Sequence, residues 1–146
     1  MEGYRHIVCA TDFSDYSRRA AARAADLAER CGARLTLLHV VEYFPEDRSN
    51  RDVAPEDVDP ETYQRERGEA HLGELATELG RPDAEKVVFL SPRSAKHEIV
   101  ELAGQWGVDL VVLASHGHYG ITALMGSTAT GVVQRAPCDV LAVRAG

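Results

Sequence analysis

Five short apolar runs punctuate the chain: residues 6–10 (HIVCA), 35–41 (LTLLHVV), 87–90 (VVFL), 110–113 (LVVL) and 140–143 (VLAV). None keeps up the strict apolar–polar alternation of a strand with one wet face. Strands of this kind are covered on both sides. Between the first two runs, Ala20, Ala21, Ala24, Leu27, Ala28 and Cys31 recur at helical spacing, which predicts a helix over 15–30 with Ser14 as N-cap and Gly32 as its stop. Asp59, Pro60 and Glu61 combine an N-cap, a first-position proline and a first-turn acid, so a second helix starts there and ends near Gly80. A third runs from Ser94 to Trp106 with Ile99, Val100, Leu102 and Ala103 inward, and a fourth from Ser127 to Arg135. Proline and acidic residues dominate 42–59, a long surface connection.

Strands that alternate with helices predict an α/β fold: one parallel five-stranded sheet with helices on both faces. A chain of 146 residues fits a single domain spanning 1–146. Open parallel sheets bind ligands beyond the carboxyl ends of their strands, where strand order reverses. That rule points to Thr11–Ser14 after the first strand, to Val41 onward after the second, and to Ala114–Ser127 after the fourth.

The last of these lies within 111–128, VVLASHGHYGITALMGST. A buried strand runs into a glycine-rich loop, and Gly126, Ser127 and Thr128 then open a helix. Glycines let backbone N–H groups approach a phosphate, and the helix dipole favours its charge. With the first and fourth strands as neighbours, Asp12 faces this loop, and one carboxylate is set against an anion cradle. Each member has a plainer reading. Asp12 can cap the first helix together with Ser14, Ser127 and Thr128 can be simple N-caps, and the glycines can merely shape a turn. His116 and His118 read as surface-loop histidines.

Apolar residues make up 45% of the chain and charged ones 27%, ordinary for a globular protein. No apolar run approaches the roughly 20 residues of a membrane span. The start, MEGYRHIVCATDFS, lacks the layout of a signal peptide, so a cytoplasmic location is expected. A net charge of −7 argues against a nucleic-acid surface but not against a mononucleotide held by backbone N–H groups. Cys9, Cys31 and Cys138 are odd in number and lack a CxxC spacing, so buried free thiols are expected. No histidine spacing suggests zinc. Ser115-His116-Gly117-His118 is similar to the [HT]xGH motif of nucleotidyltransferases, but it follows the fourth strand rather than the first. A response-regulator receiver is rejected because Phe13 follows Asp12 and Leu90-Ser91 stands where an Asp is needed. With Asp12 the only convergent carboxylate, any ATPase activity is expected to be slow.

Nearly the whole chain resembles the universal stress protein family, UspA type. The resemblance is carried by HIVCATDFS, LTLLHVVE, HEIVELAGQWGVDLVVLASHG and GSTATGVVQRAPCDVLAVR. It implies a Rossmann-like sheet of strand order 3-2-1-4-5, a homodimer and, in one branch, an ATP or AMP site with or without Mg2+. That branch carries G-x2-G-x9-G-[ST]. Here Ala114 replaces the first glycine, Gly117 is the second, and only eight residues (His118 to Met125) precede Gly126 and Ser127. By matched position, Ala10, Thr11 and Asp12 would line adenine and ribose, with Asp12 accepting from a ribose hydroxyl. Val40 would meet adenine through its backbone, Leu113 and Ala114 would lie against the nucleoside, and Gly117, Gly126, Ser127 and Thr128 would hold phosphates. The altered glycine pattern leaves a second reading, a nucleotide-free interaction module of the same family. By the same analogy the fifth strand lies at the sheet edge, where two copies would pair antiparallel with Asp139 of one near Arg144 of the other.

Overall fold

The middle strand of the sheet is the first in the chain, β1 (His6–Ala10), and all five of its residues are buried. In the computed structural model, which describes residues 3–43, 55–116 and 125–144, β2 (Arg34–Glu42) and β4 (Leu110–Ala114) flank β1 in parallel. Beyond them lie β3 (Glu85–Ser91) and β5 (Asp139–Val143), giving the order β3-β2-β1-β4-β5. The helices are α1 (Asp15–Cys31), α2 (Pro60–Glu78), α3 (Ala95–Gln105) and α4 (Ser127–Arg135). Much of the expected 42–59 connection, together with Gly117 and His118, falls outside the described residues.

Alternation along the buried strands divides the core in two. Ile7 and Cys9 of β1, Leu35 and Leu37 of β2, and Leu110 and Val112 of β4 pack under α1 and α2. Val8, Ala10, Leu38, Val111 and Leu113 turn the other way, toward Ile99 and Leu102 of α3 and Ala129 and Val132 of α4. On α1 the inward face is almost all alanine (Ala20, Ala21, Ala24, Ala25, Ala28), which lets the helix lie close to the sheet. Ser14 caps its start by accepting from the Ser17 N–H, and Gly32 ends it in the left-handed conformation (φ 65°). Asp59 caps α2 in the same way, through the Thr62 N–H.

The strands outrun the apolar runs by a residue or two. Arg34 pairs with His6, and Glu42 with Ser91. Ladder pairing continues there although the Arg34 and Glu42 side chains reach solvent. Among the cysteines Cys9 is buried and Cys31 and Cys138 are half-buried, all three free. Burial pushes the Cys9 thiol up to about 12 and raises that of Cys138, so neither is primed as a nucleophile.

Two glycines of α2 make opposite predictions. A Cβ at Gly68 would stand 2.8 Å from Cγ2 of Val88, whose short branched side chain cannot swing away, whereas a Cβ at Gly73 meets nothing within 4 Å. Gly73→Ala is expected to stabilise the fold by about 0.5–1 kcal/mol through helix propensity. Gly68→Ala is expected to destabilise it by about 1–3 kcal/mol through overpacking. Urea unfolding of both variants checks the pair.

His6 makes a third. Its Nε2 lies 2.8 Å from Thr36 Oγ1 in a buried contact. Burial, and then the charge of Arg34, hold its pKa below the ordinary 6.5. The folded chain resists a proton that the unfolded chain accepts, so this contribution to stability is full above pH 6.5 and falls as pH drops toward the lowered native pKa. His6→Gln should flatten that part of the stability–pH curve, measured by urea unfolding at a series of pH values.

Candidate functional site

Where β1 ends, the Thr11 N–H still donates to the Leu38 carbonyl at 2.9 Å, and the chain then turns sharply into α1. Asp12 braces that turn. Its Oδ1 accepts from the Ser14 N–H at 3.0 Å and the Ser14 hydroxyl at 2.6 Å. Ser14 Oγ in turn accepts from the Ser17 N–H at 3.2 Å. Thr11 Oγ1 accepts from the Phe13 N–H at 3.0 Å and donates to Ser17 Oγ at 2.9 Å. The capping role weighed for Asp12 is therefore present, with the half-buried carboxylate standing at the carboxyl end of β1.

Between Asp12 and Ser14, Phe13 adopts φ 64°, the one positive φ outside glycine among the described residues. An L side chain in that region carries steric strain. Its ring is held by two histidines, with centroids 4.3 Å from His39 and 4.9 Å from His71. His39 Nδ1 lies 2.8 Å from the Thr11 carbonyl oxygen. A carbonyl only accepts, so this nitrogen carries the proton. Nothing in the sequence signalled the left-handed residue, because phenylalanine has no preference for it.

Beside β1, Ala114 closes β4. The Ser115 N–H donates to the Val143 carbonyl at 2.8 Å, and the Ser115 carbonyl accepts from the Gly126 N–H at 2.7 Å. That second bond fastens the start of α4 to the exit of β4. Gly126 is the N-cap of α4, extended at φ −64° and ψ 158°, and supplies no side-chain acceptor. The other helix starts are served by side chains: α1 by Ser14, α2 by Asp59, and α3 by Glu42 Oε1, 2.7 Å from the Ala95 nitrogen. Among the described residues no side chain caps α4, and its first-turn N–H groups and positive dipole end suit an anion.

His116 departs from its expected place. It is half-buried rather than on the surface, with Nδ1 3.0 Å from Ser115 Oγ and its ring 6.4 Å from that of Tyr16 on α1. Its Nε2 is buried and has no hydrogen-bond partner among the described residues. A contact with a residue 100 positions away, in the first turn of α1, leaves no local trace in the sequence.

Adjacency of β1 and β4 gathers most of the expected site. Cys9 pairs with Val112, so the segments after them, Ala10 to Asp12 and Leu113 to Ser115, emerge side by side. Val40 joins them from β2, two residues beyond the Leu38 that pairs with Ala10. Ala10, Thr11 and Leu113 are buried, Asp12, Val40, Ala114, Gly126 and Thr128 are half-buried, and Ser127 is exposed. Gly117 lies outside the described residues. Among the described residues no three His, Cys, Asp or Glu side chains gather as a metal site. A carboxylate able to accept from hydroxyls and a helix start able to hold an anion thus follow neighbouring strands of the sheet.

The protein-family model described as "Universal stress protein family" matches residues 3–144. Universal stress protein A homolog 2 of Coxiella burnetii is 37% identical over 145 residues, covering 99% of this chain and 97% of the relative. Universal stress protein UspA from Lactobacillus plantarum superposes with a TM-score of 0.71 at 27% identity, covering 97% of this chain and 99% of that one. A universal stress protein solved in complex with cAMP gives a TM-score of 0.67 at 30% identity over 97% of each chain. With the strand order 3-2-1-4-5 that the resemblance implied present in its structure, the chain belongs to the universal stress protein family.

Proposed function

We propose that this chain binds an adenine nucleotide, ATP or AMP, in the crevice between the carboxyl ends of β1 and β4. The reading is carried by two neighbouring strand exits: Asp12 follows β1, and the Ser115–Gly126 bond fastens the start of α4 to the adjacent β4. A ribose hydroxyl donating to Asp12 leaves phosphates directed at Gly126, Ser127 and Thr128, while Ala10, Val40, Leu113 and Ala114 offer apolar and backbone surface to the base and sugar. Gly117 completes the phosphate loop in this reading. The cAMP complex of the 30% identical relative supports an adenine ligand. Alanine at 114 is compatible, since the methyl group replaces only a hydrogen.

Isothermal titration with ATP, AMP and GTP is the test. Heat of binding is expected with the adenine nucleotides. Asp12→Ala should weaken the interaction by roughly 1.5–3 kcal/mol, the scale of a hydrogen bond to a charged group. Binding of no adenine nucleotide at millimolar concentration would leave the interaction-module reading in its place. Unchanged affinity in Asp12→Ala would confine that residue to bracing the α1 cap.

The same proposal includes a homodimer through β5, an edge strand in the sheet. Val140, Leu141 and Ala142 are half-buried, and Val133 of α4 is 47% exposed. Asp139 accepts from the Tyr4 hydroxyl of its own chain at 2.8 Å, so a partner's Arg144 would share it. The Val143 carbonyl faces β4, because it accepts from Ser115. Backbone groups alternate along a strand, so Val140 and Ala142 turn theirs to the open edge. Light scattering should give about twice the 15.9 kDa chain mass. Val140→Pro should yield a folded monomer, whereas Leu141→Pro should disturb the β4–β5 ladder itself. A monomeric wild type refutes the dimer, and a dimer that survives Val140→Pro moves the interface elsewhere.

A further inference from the structure

Among the described residues β3 and β5 are the outer strands of the sheet, so each turns a row of backbone groups away from its neighbour. In β3 the phase of that row is fixed at the strand end, where the Ser91 carbonyl accepts from the Tyr43 N–H beyond β2 at 2.8 Å. Backbone groups alternate along a strand, so Glu85, Val87 and Phe89 face β2 with Ser91, while Lys86, Val88 and Leu90 face outward. The middle acceptor of the outward row is taken. Nη1 of Arg65 donates to the Val88 carbonyl at 3.1 Å. Arg65 lies on α2, three residues before Gly68, where a Cβ would stand 2.8 Å from Val88 Cγ2, so the helix is pressed against this strand. Glu61 and Glu69 stand four residues to either side of Arg65, the spacing of helical ion pairs, yet the guanidinium reaches for the strand instead. On β5 the side-chain bond among the described residues goes from Tyr4 to the Asp139 carboxylate, not to the outward Val140 and Ala142 carbonyls.

We propose that Arg65 masks a second strand-pairing surface, the outer edge of β3, whose partner once unmasked is the same edge of another copy of this chain. A bare edge is a template for strand addition, and a cation laid on it is one way of blocking it. Two β3 strands related by a two-fold axis would pair antiparallel and would need the Val88 carbonyl as an acceptor. Arg65 occupies that acceptor with a charge-assisted bond, and an incoming strand would have to break the bond and strip water from the guanidinium. Each copy would also bring its own Arg65 to the middle of the same row, so two like charges would meet. A sheet that pairs at both edges grows without closing, whereas a sheet with one blocked edge stops. The inference does not depend on pairing at β5, since unmasking β3 adds one contact to whatever the wild type forms.

Light scattering of wild type, Arg65→Ala and Arg65→Ala/Lys86→Pro at matched concentrations tests the assignment, together with hydrogen exchange of the β3 amides. The mass of Arg65→Ala should reach at least roughly twice that of wild type and rise with concentration, as expected when a second pairing edge opens. The outward amides of Lys86, Val88 and Leu90 should gain protection in step with the mass, because an incoming strand supplies them with acceptors. Lys86→Pro takes one outward donor from the edge and leaves the bonds to β2 in place, so the double variant should return to the wild-type mass. An Arg65→Ala protein of wild-type mass overturns the proposal. Growth without added protection in β3 overturns it too, and this outcome is decisive even where the double variant does not fold. Growth that persists in a folded double variant moves the contact away from β3 and has the same effect. A monomeric wild type removes the β5 dimer but leaves this test intact, since the doubling is then from monomer to dimer.

Discussion

Covering both faces of β1 is the constraint on which the rest of the architecture depends. Ile7 and Cys9 need one set of helices, and Val8 and Ala10 need another. The strand can satisfy both only from the middle of the sheet, with β2 on one side and β4 on the other. That placement reverses the strand order between β1 and β4, and it sets the loop into α1 beside the exit of β4. The meeting of these two strand exits is thus a by-product of burying five residues.

The hydrogen bonds at the crevice set its shape more than apolar packing does. Ser115 is joined to β5 through its N–H and to α4 through its carbonyl, so one residue ties three elements together. Across the gap, Thr11, Asp12, Ser14 and Ser17 share protons in a compact network that ends the strand and begins the helix within a few residues. Short polar side chains do this because their oxygens reach nearby backbone groups without spanning solvent.

The sheet and its helices were readable in the sequence because their signals are local. Apolar runs, the Ser14 and Asp59 caps and the Gly32 stop each act within one turn or one strand. Strand ends were less clear, since Arg34, Glu42 and Glu85 pair through their backbones while their side chains carry no apolar mark. At the crevice, the neighbours of Asp12 and Gly126 could be deduced only after the strand order was known. The burial of His116 against Tyr16 and the left-handed Phe13 depend on contacts between distant segments, for which periodicity and capping rules have no term. Asp12 shows the limit most clearly, because a capping carboxylate and a ligand-binding one have the same sequence signature.

Phe13 carries a consequence beyond its own strain. A loop residue that pays to sit at φ 64° and is gripped by two imidazole rings has little freedom left. Thr11 and Asp12, on its amino side, inherit that rigidity through the His39 bond to the Thr11 carbonyl. The conformational entropy of arranging this edge is thus surrendered when the protein folds, not when a ligand arrives. A molecule that uses the Asp12 turn meets a preorganised surface, and its affinity is not diluted by the cost of ordering a loop.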